Sequence, residues 1–135
     1  MDRPGRGMVV IPAHNEEATI AHVVRGVLEH STLPVVVVDD KSSDGTARMA
    51  REAGAVVLSP PIQLGAWGAA QTGMRYACAR GCSFVVTLDG DGQHDPRFIP
   101  DLLAAARHNG TDVVIGACPE RVSGMRRLAW SFFKR

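Results

Sequence analysis

Asp89, Asp91 and Gln93 stand two residues apart in Val85-Val86-Thr87-Leu88-Asp89-Gly90-Asp91-Gly92-Gln93-His94-Asp95-Pro96, where an apolar run of strand type ends at carboxylates. In an extended segment, residues i and i+2 point the same way. The three side chains then offer oxygen ligands to one side. Gly90 and Gly92 lack a Cβ, so the backbone there can turn sharply and a ligand can come close. Grouped hard oxygen ligands suit Mg²⁺ or Mn²⁺, above all where phosphate oxygens complete the shell. The chemistry implied is a metal site for a nucleotide diphosphate. A solvated turn after a strand is the plain alternative. An EF-hand is excluded, because His94 occupies its obligatory glycine position and Pro100 its terminal glutamate position.

Such a site needs a nucleotide pocket, and other strand ends supply candidates. Met8-Val9-Val10-Ile11 reads as a buried strand closed by Pro12 and followed by Ala13-His14-Asn15-Glu16-Glu17. Val35 to Val38 is a β-branched run that stops at Asp39-Asp40. Carboxylates thus follow three separate apolar strands, and open α/β sheets bind ligands beyond the carboxyl ends of their strands. Asp89, Asp91 and Gln93 would hold the metal, which neutralises a diphosphate leaving group. Asp40, and likewise Glu16, can accept hydrogen bonds from a base N–H or ribose hydroxyls. Pro12 fixes the chain direction beneath the nucleotide. Asp39 is expected to orient its own loop.

The elements between these ends alternate. Asn15 is a plausible N-cap. Ile20, Val23, Val24, Val27 and Leu28 recur at helical spacing, predicting a helix of about four turns that ends near Ser31. Ser43 or Asp44 can cap a second helix running to about Ala53, with Gly54 after it. Ala55 to Leu58 is a short strand. Gly65 and Gly68 flank Ala66-Trp67 in a small-residue loop before a helix from about Ala69 to Arg80, and Trp67 reads as a packing residue. Asp95 with Pro96 starts a helix to about His108. Asp112 to Gly116 reads as a further strand, and Gly124 to Arg135 as a helix. This order predicts an α/β fold, a mainly parallel sheet with helices on both faces.

The chain has 135 residues, 45% hydrophobic and 21% charged, which fits one ordinary globular domain. Net charge is +1, so bulk charge points to no nucleic-acid partner. Its distribution is uneven. Pro119 to Arg135 carries five basic residues against Glu120, leaving −3 over the first 118 positions. That basic segment also holds Trp130, Phe132 and Phe133, and a basic aromatic helix can lie on an anionic membrane surface. The alternative is a helix face meant for burial. Cys78, Cys82 and Cys118 show no disulfide spacing and read as buried thiols in a reducing compartment. His14, His22, His30 and His108 show no metal-ligand spacing. Residues 1–7 are expected to form a flexible tail, without signal-peptide character.

Three segments carry a family resemblance: Val10-Ile11-Pro12-Ala13-His14-Asn15-Glu16-Glu17, Val36-Val37-Val38-Asp39-Asp40-Lys41-Ser42-Ser43-Asp44-Gly45-Thr46 and Leu88-Asp89-Gly90-Asp91-Gly92-Gln93-His94. In this order and spacing the chain resembles family 2 glycosyltransferases, with the dolichol-phosphate (polyprenyl-phosphate) mannosyltransferase type as the nearest subgroup. The resemblance implies a GT-A fold, Rossmann-like, over residues 8–135, with a nucleotide-diphosphate-sugar donor, a divalent metal and inversion at the anomeric carbon. It implies that Pro12, His14 and Glu16 line the nucleotide pocket and that Val38 and Asp40 contact base and ribose. It places Asp89, Gly90, Asp91 and Gln93 at the metal and diphosphate, Gly65 and Gly68 before a helix near the donor, and Arg121 near phosphate. A phosphatase of the haloacid dehalogenase type also carries a D-x-D after a strand, but with Thr or Val expected at position 93 and an earlier place in the chain.

The resemblance has two departures. Gly116-Ala117-Cys118-Pro119-Glu120-Arg121 stands where relatives have a Gly-Ser-Arg start. The family's catalytic domain also continues well beyond a position equivalent to Arg135, so the sequence reads as the donor half, incomplete at the C-terminus. The expected acceptor is a polyprenyl phosphate or a glycan. A sugar hydroxyl needs a general base, whereas a lipid phosphate is already an anionic nucleophile. The expected location is cytoplasmic, including peripheral attachment at the cytoplasmic face of a membrane. The alternatives are a nucleotide-sugar-binding module without transfer activity and a non-enzymatic doubly wound domain.

Overall fold

The computed structural model describes residues 5–117. Four strands carry the sheet: β1 (Gly7–Ala13), β2 (Val35–Asp39), β3 (Val56–Leu58) and β4 (Phe84–Thr87). Every pairing is parallel, and the strand order is β3-β2-β1-β4. Helices α1 (Ile20–His30), α2 (Thr46–Glu52) and α3 (Gly65–Ala79) connect them. The sheet lies within residues 1–100, one compact unit; α4 (Ile99–Asn109) runs into a second unit that begins at Asp101.

Strand alternation divides the core into two layers. Met8, Val10 and Val36 pack with Ala77 of α3 on one face. On the helix side, a Cβ at Gly73 would meet Val10 and Val38, so α3 lies on the sheet at a distance only glycine permits. The other face is covered by α1 and α2, which pack on each other, and α1 contributes Ile20, Val23, Val24 and Val27 to the core. All five residues of β2 are buried, as a β-branched run in a parallel sheet predicts.

Pro12 does not close β1 but lies within it, in register with Val38. The missing N–H is tolerated because β4 pairs with β1 only as far as Val10. Helix α1 begins at Ile20 rather than at Asn15. Asn15 has φ +53, and its side-chain oxygen accepts the Ser43 N–H, so it ties two loops together instead of capping a helix. Helix α3 begins a turn earlier than its composition suggests, and Gly65 and Gly68 form its first turn. Residues 112–116 form no strand among the described residues, and Val113 (74% exposed) and Ile115 (81%) show that no sheet layer covers them. Without a ladder partner, the apolar alternation there has nothing to pair with. Cys78 on α3 is exposed, whereas Cys82 lies past the helix end and is half-buried against the cluster of Met8, Val10, Val36 and Ala77. Trp67 is 72% exposed and is not a packing residue. The expected helix 124–135, with Cys118 and Arg121, lies outside the described residues.

Candidate functional site

The order β3-β2-β1-β4 reverses direction between β1 and β4. Successive connections step outward to β3 and then return to the other side of β1. The carboxyl ends of the strands at such a reversal are the usual ligand position in doubly wound sheets. The ends of β1, β2 and β4 are consecutive along this edge, so Pro12-Ala13-His14-Asn15-Glu16, Asp39-Asp40 and Asp89-Gly90-Asp91 come together there.

The first two ends are laced by hydrogen bonds. Thr46, fully buried at the start of α2, accepts the Glu16 N–H through its hydroxyl at 2.8 Å and donates to Asp44 Oδ1 at 2.5 Å. Asp44 also accepts the backbone N–H groups of Thr46 and Glu17. The Thr46 hydroxyl, followed by these amides, holds the Asp44 carboxyl below its usual range. His14 Nδ1 donates to the Asp40 carbonyl at 2.8 Å, since a carbonyl only accepts. In the neutral ring this leaves Nε2 with a lone pair, 3.3 Å from the Asn15 amide. Asp39 accepts the Ser42 N–H within its own loop, as expected.

Asp40 is only 2% exposed, and both its oxygens are engaged. They accept the backbone N–H groups of Leu64 (2.6 Å) and Gly65 (2.8 Å), so the carboxylate holds the start of α3. The carboxylate expected to contact base and ribose thus also serves as a helix anchor. Lys41, at φ +59, adds a hydrogen bond to the Pro61 carbonyl. Val38 is fully buried with Cγ2 facing Gly73, so its side chain serves the core rather than a ligand. Glu16 and Pro12 are half-buried and His14 is exposed at the same edge.

The Asp89–Gln93 stretch is a turn, not an extended strand, which corrects the i, i+2 alignment. Gly92 has φ +78, a conformation suited to glycine. The Asp89 N–H donates to His94 Nδ1 at 3.1 Å and closes the turn, while Asp91 Oδ1 accepts the Gln93 N–H at 2.9 Å. A Cβ on buried Gly90 would sit 3.2 Å from Ala13 and 3.4 Å from Ile20, so the turn is pressed against the end of β1. Thr19 bridges this turn to Glu16 beyond the end of β1: its hydroxyl lies 2.8 Å from the Gly90 carbonyl and 3.1 Å from Glu16 Oε2. Thr19 and Thr46 carried no signal in the sequence, because the contacts that join separate strand ends, Thr19 to Gly90 and Thr46 to Glu16, span 71 and 30 positions.

Two carboxylates with a glutamine form no complete protein cage, and among the described residues no group of three or more His, Cys, Asp or Glu could hold a metal alone. The donor set still fits a hard divalent cation. Asp89 is largely exposed, and Asp91 keeps Oδ2 without a partner among the described residues. Diphosphate oxygens and water would complete such a shell.

Asp95 caps the following 3-10 turn (Pro96–Phe98) through the Arg97 N–H. The Arg97 guanidinium, bonded to both its oxygens, lowers the Asp95 carboxyl to about 2.

No described helix is long and apolar enough to cross a membrane. The chain is 35% identical to the undecaprenyl-phosphate mannosyltransferase of Micrococcus luteus, over 93% of this chain and 52% of that one. It is 33% identical to the polyprenol monophosphomannose synthase of Mycolicibacterium smegmatis, over 83% of this chain and 44% of the relative. The chain thus spans about half the length of the curated relatives it matches. Among solved structures, glucosyl-3-phosphoglycerate synthase from Mycobacterium tuberculosis, in complex with Mn²⁺, UDP-glucose and phosphoglyceric acid, superposes with TM-score 0.63 at 30% identity. That match covers 75% of this chain and 39% of the synthase. The parallel α/β architecture is therefore that of the GT-A glycosyltransferases. With the family description "Glycosyl transferase family 2" matching residues 8–133, the chain belongs to glycosyl transferase family 2.

Proposed function

We propose that this chain is the donor-binding half of an inverting glycosyltransferase that moves a sugar from a nucleotide-diphosphate-sugar to a polyprenyl phosphate. The observation that carries the reading is the meeting of Glu16 and the Asp89-Gly90-Asp91 turn at the β1/β4 reversal, joined by Thr19. Glu16, His14 and Pro12 then face the nucleoside. Asp40 serves it indirectly, by holding the start of α3. Asp89, Asp91 and Gln93 take Mg²⁺ or Mn²⁺ together with the diphosphate, and Gly90 lets the turn lie close to the end of β1. When bound, the cation neutralises the diphosphate leaving group. Support for the metal comes from the synthase structure that contains Mn²⁺ and UDP-glucose. Support for the acceptor comes from relatives named for undecaprenyl and polyprenol phosphates. Arg121 and the basic aromatic segment after it are assigned to phosphate and membrane contact at the cytoplasmic face.

A second reading is a module that binds donor and metal without transferring. Calorimetric titration with UDP- and GDP-sugars, with and without Mn²⁺, tests both. Metal-dependent binding supports them, and its absence for every donor rejects them. Transfer to a polyprenyl phosphate separates the first from the second.

A further inference from the structure

We propose that Thr19 is a positioning residue for the Asp89-Gly90-Asp91 turn. Its hydroxyl has one proton and three acceptors in reach: the Gly90 carbonyl at 2.8 Å, Glu16 Oε2 at 3.1 Å and the Glu16 carbonyl at 3.4 Å. The shortest and most distant in sequence is Gly90. Gly90 is buried against Ala13, Ile20 and the Pro12 carbonyl, so its own carbonyl needs a protein partner. That carbonyl belongs to the peptide unit linking Gly90 to Asp91. Holding it fixes the plane from which the Asp91 side chain departs, while the Asp89 N–H bond to His94 Nδ1 holds the other side of the turn.

Thr19 is itself rigidly placed. It precedes Ile20, Val23 and Val24, which anchor α1 in the core. The contact with Glu16 adds coupling. A carboxylate can only accept, so Glu16 and Gly90 compete for the same proton. A ligand hydroxyl donating to Glu16 satisfies Oε2 and leaves the Thr19 proton to Gly90. Occupation of the nucleotide side then tightens the turn on the diphosphate side. This coupling rests on the donor-binding reading; the positioning of the turn does not.

Thr19→Val and Thr19→Ser in the full chain test the role. In the absence of ligand, Thr19→Val is expected to shift the Gly90 carbonyl ¹³C and Asp91 amide ¹⁵N resonances, and Thr19→Ser to restore them. Mn²⁺-dependent donor affinity is expected to fall about tenfold in Thr19→Val and to recover in Thr19→Ser. Turn resonances in Thr19→Val that coincide with those of the parent overturn the proposal. If Thr19→Val does not fold, Thr19→Ala against Thr19→Ser makes the same comparison, and identical turn resonances in these two overturn it. A parent chain that binds no donor rejects the donor reading and the coupling, while the resonances still decide the positioning role.

Discussion

Asp40 Oδ2 accepts the backbone N–H of Gly65 at 2.8 Å, tying the end of β2 to the start of α3 across 25 positions. With Oδ1 on Leu64, this buried carboxylate takes up two of the amides that a helix start leaves unpaired. Asp40→Asn keeps one acceptor but turns an NH₂ donor toward the other amide. The expected cost is about 1–3 kcal/mol in urea unfolding, with faster hydrogen exchange at Leu64 and Gly65. Unchanged stability and exchange would show that the anchor contributes nothing.

Thr46 joins the other pair of strand ends. Thr46→Val conserves shape but removes the acceptor for the Glu16 N–H and the donor to Asp44. The expected loss is about 1–3 kcal/mol. The Asp44 carboxyl should also titrate closer to its usual value, since the Thr46 hydroxyl is the largest cause of its lowering. Carboxyl ¹³C titration of the variant checks this.

Gly73→Ala sets two effects against each other. Helix propensity favours alanine by about 1 kcal/mol. The added methyl would meet Val10 and lie 3.1 Å from Val38 Cγ2, both in the fully buried layer under α3. Overpacking costs about 1–3 kcal/mol, so net destabilisation is expected. A rise in melting temperature would contradict this packing.

Asp91→Asn retains Oδ1 for the Gln93 N–H, so the turn should persist and unfolding free energy should stay within about 0.5 kcal/mol of the parent. Loss of the charge is expected to abolish Mn²⁺-dependent donor binding in calorimetry. Undiminished affinity would remove Asp91 from the metal site.

The Asp95 carboxyl, lowered to about 2 chiefly by the Arg97 side chain, gives a pH prediction. Its pKa in the folded chain lies below the ordinary value of 3.8, so its contribution is complete above that value. It is lost as pH falls from there through about 2. Arg97→Ala should return the Asp95 titration toward the ordinary carboxylate range in ¹³C spectra. A midpoint that stays near 2 would assign the lowering to another group.

Much of this protein was legible in its sequence. The β-branched run Val35–Val38, the 3.6-residue spacing of Ile20, Val23, Val24 and Val27, and the punctuation by Asp95-Pro96 specify elements through local chemistry alone. Alternation of strands and helices then requires a parallel sheet, and carboxylates after three strands mark its candidate ligand edge. What local spacing could not determine was which partners those carboxylates face. Asp40 read as a ligand residue, and its role as an anchor for α3 was not legible, because it depends on where residues 64 and 65 arrive. Asp89, Asp91 and Gln93 looked aligned and lie in a turn, shaped by Gly92, His94 and Thr19. Thr19 and Gly90 are 71 positions apart, and no periodicity encodes their meeting. Only the strand order β3-β2-β1-β4, set by how the buried faces of α1, α2 and α3 cover the sheet, brings the ends of β1 and β4 side by side.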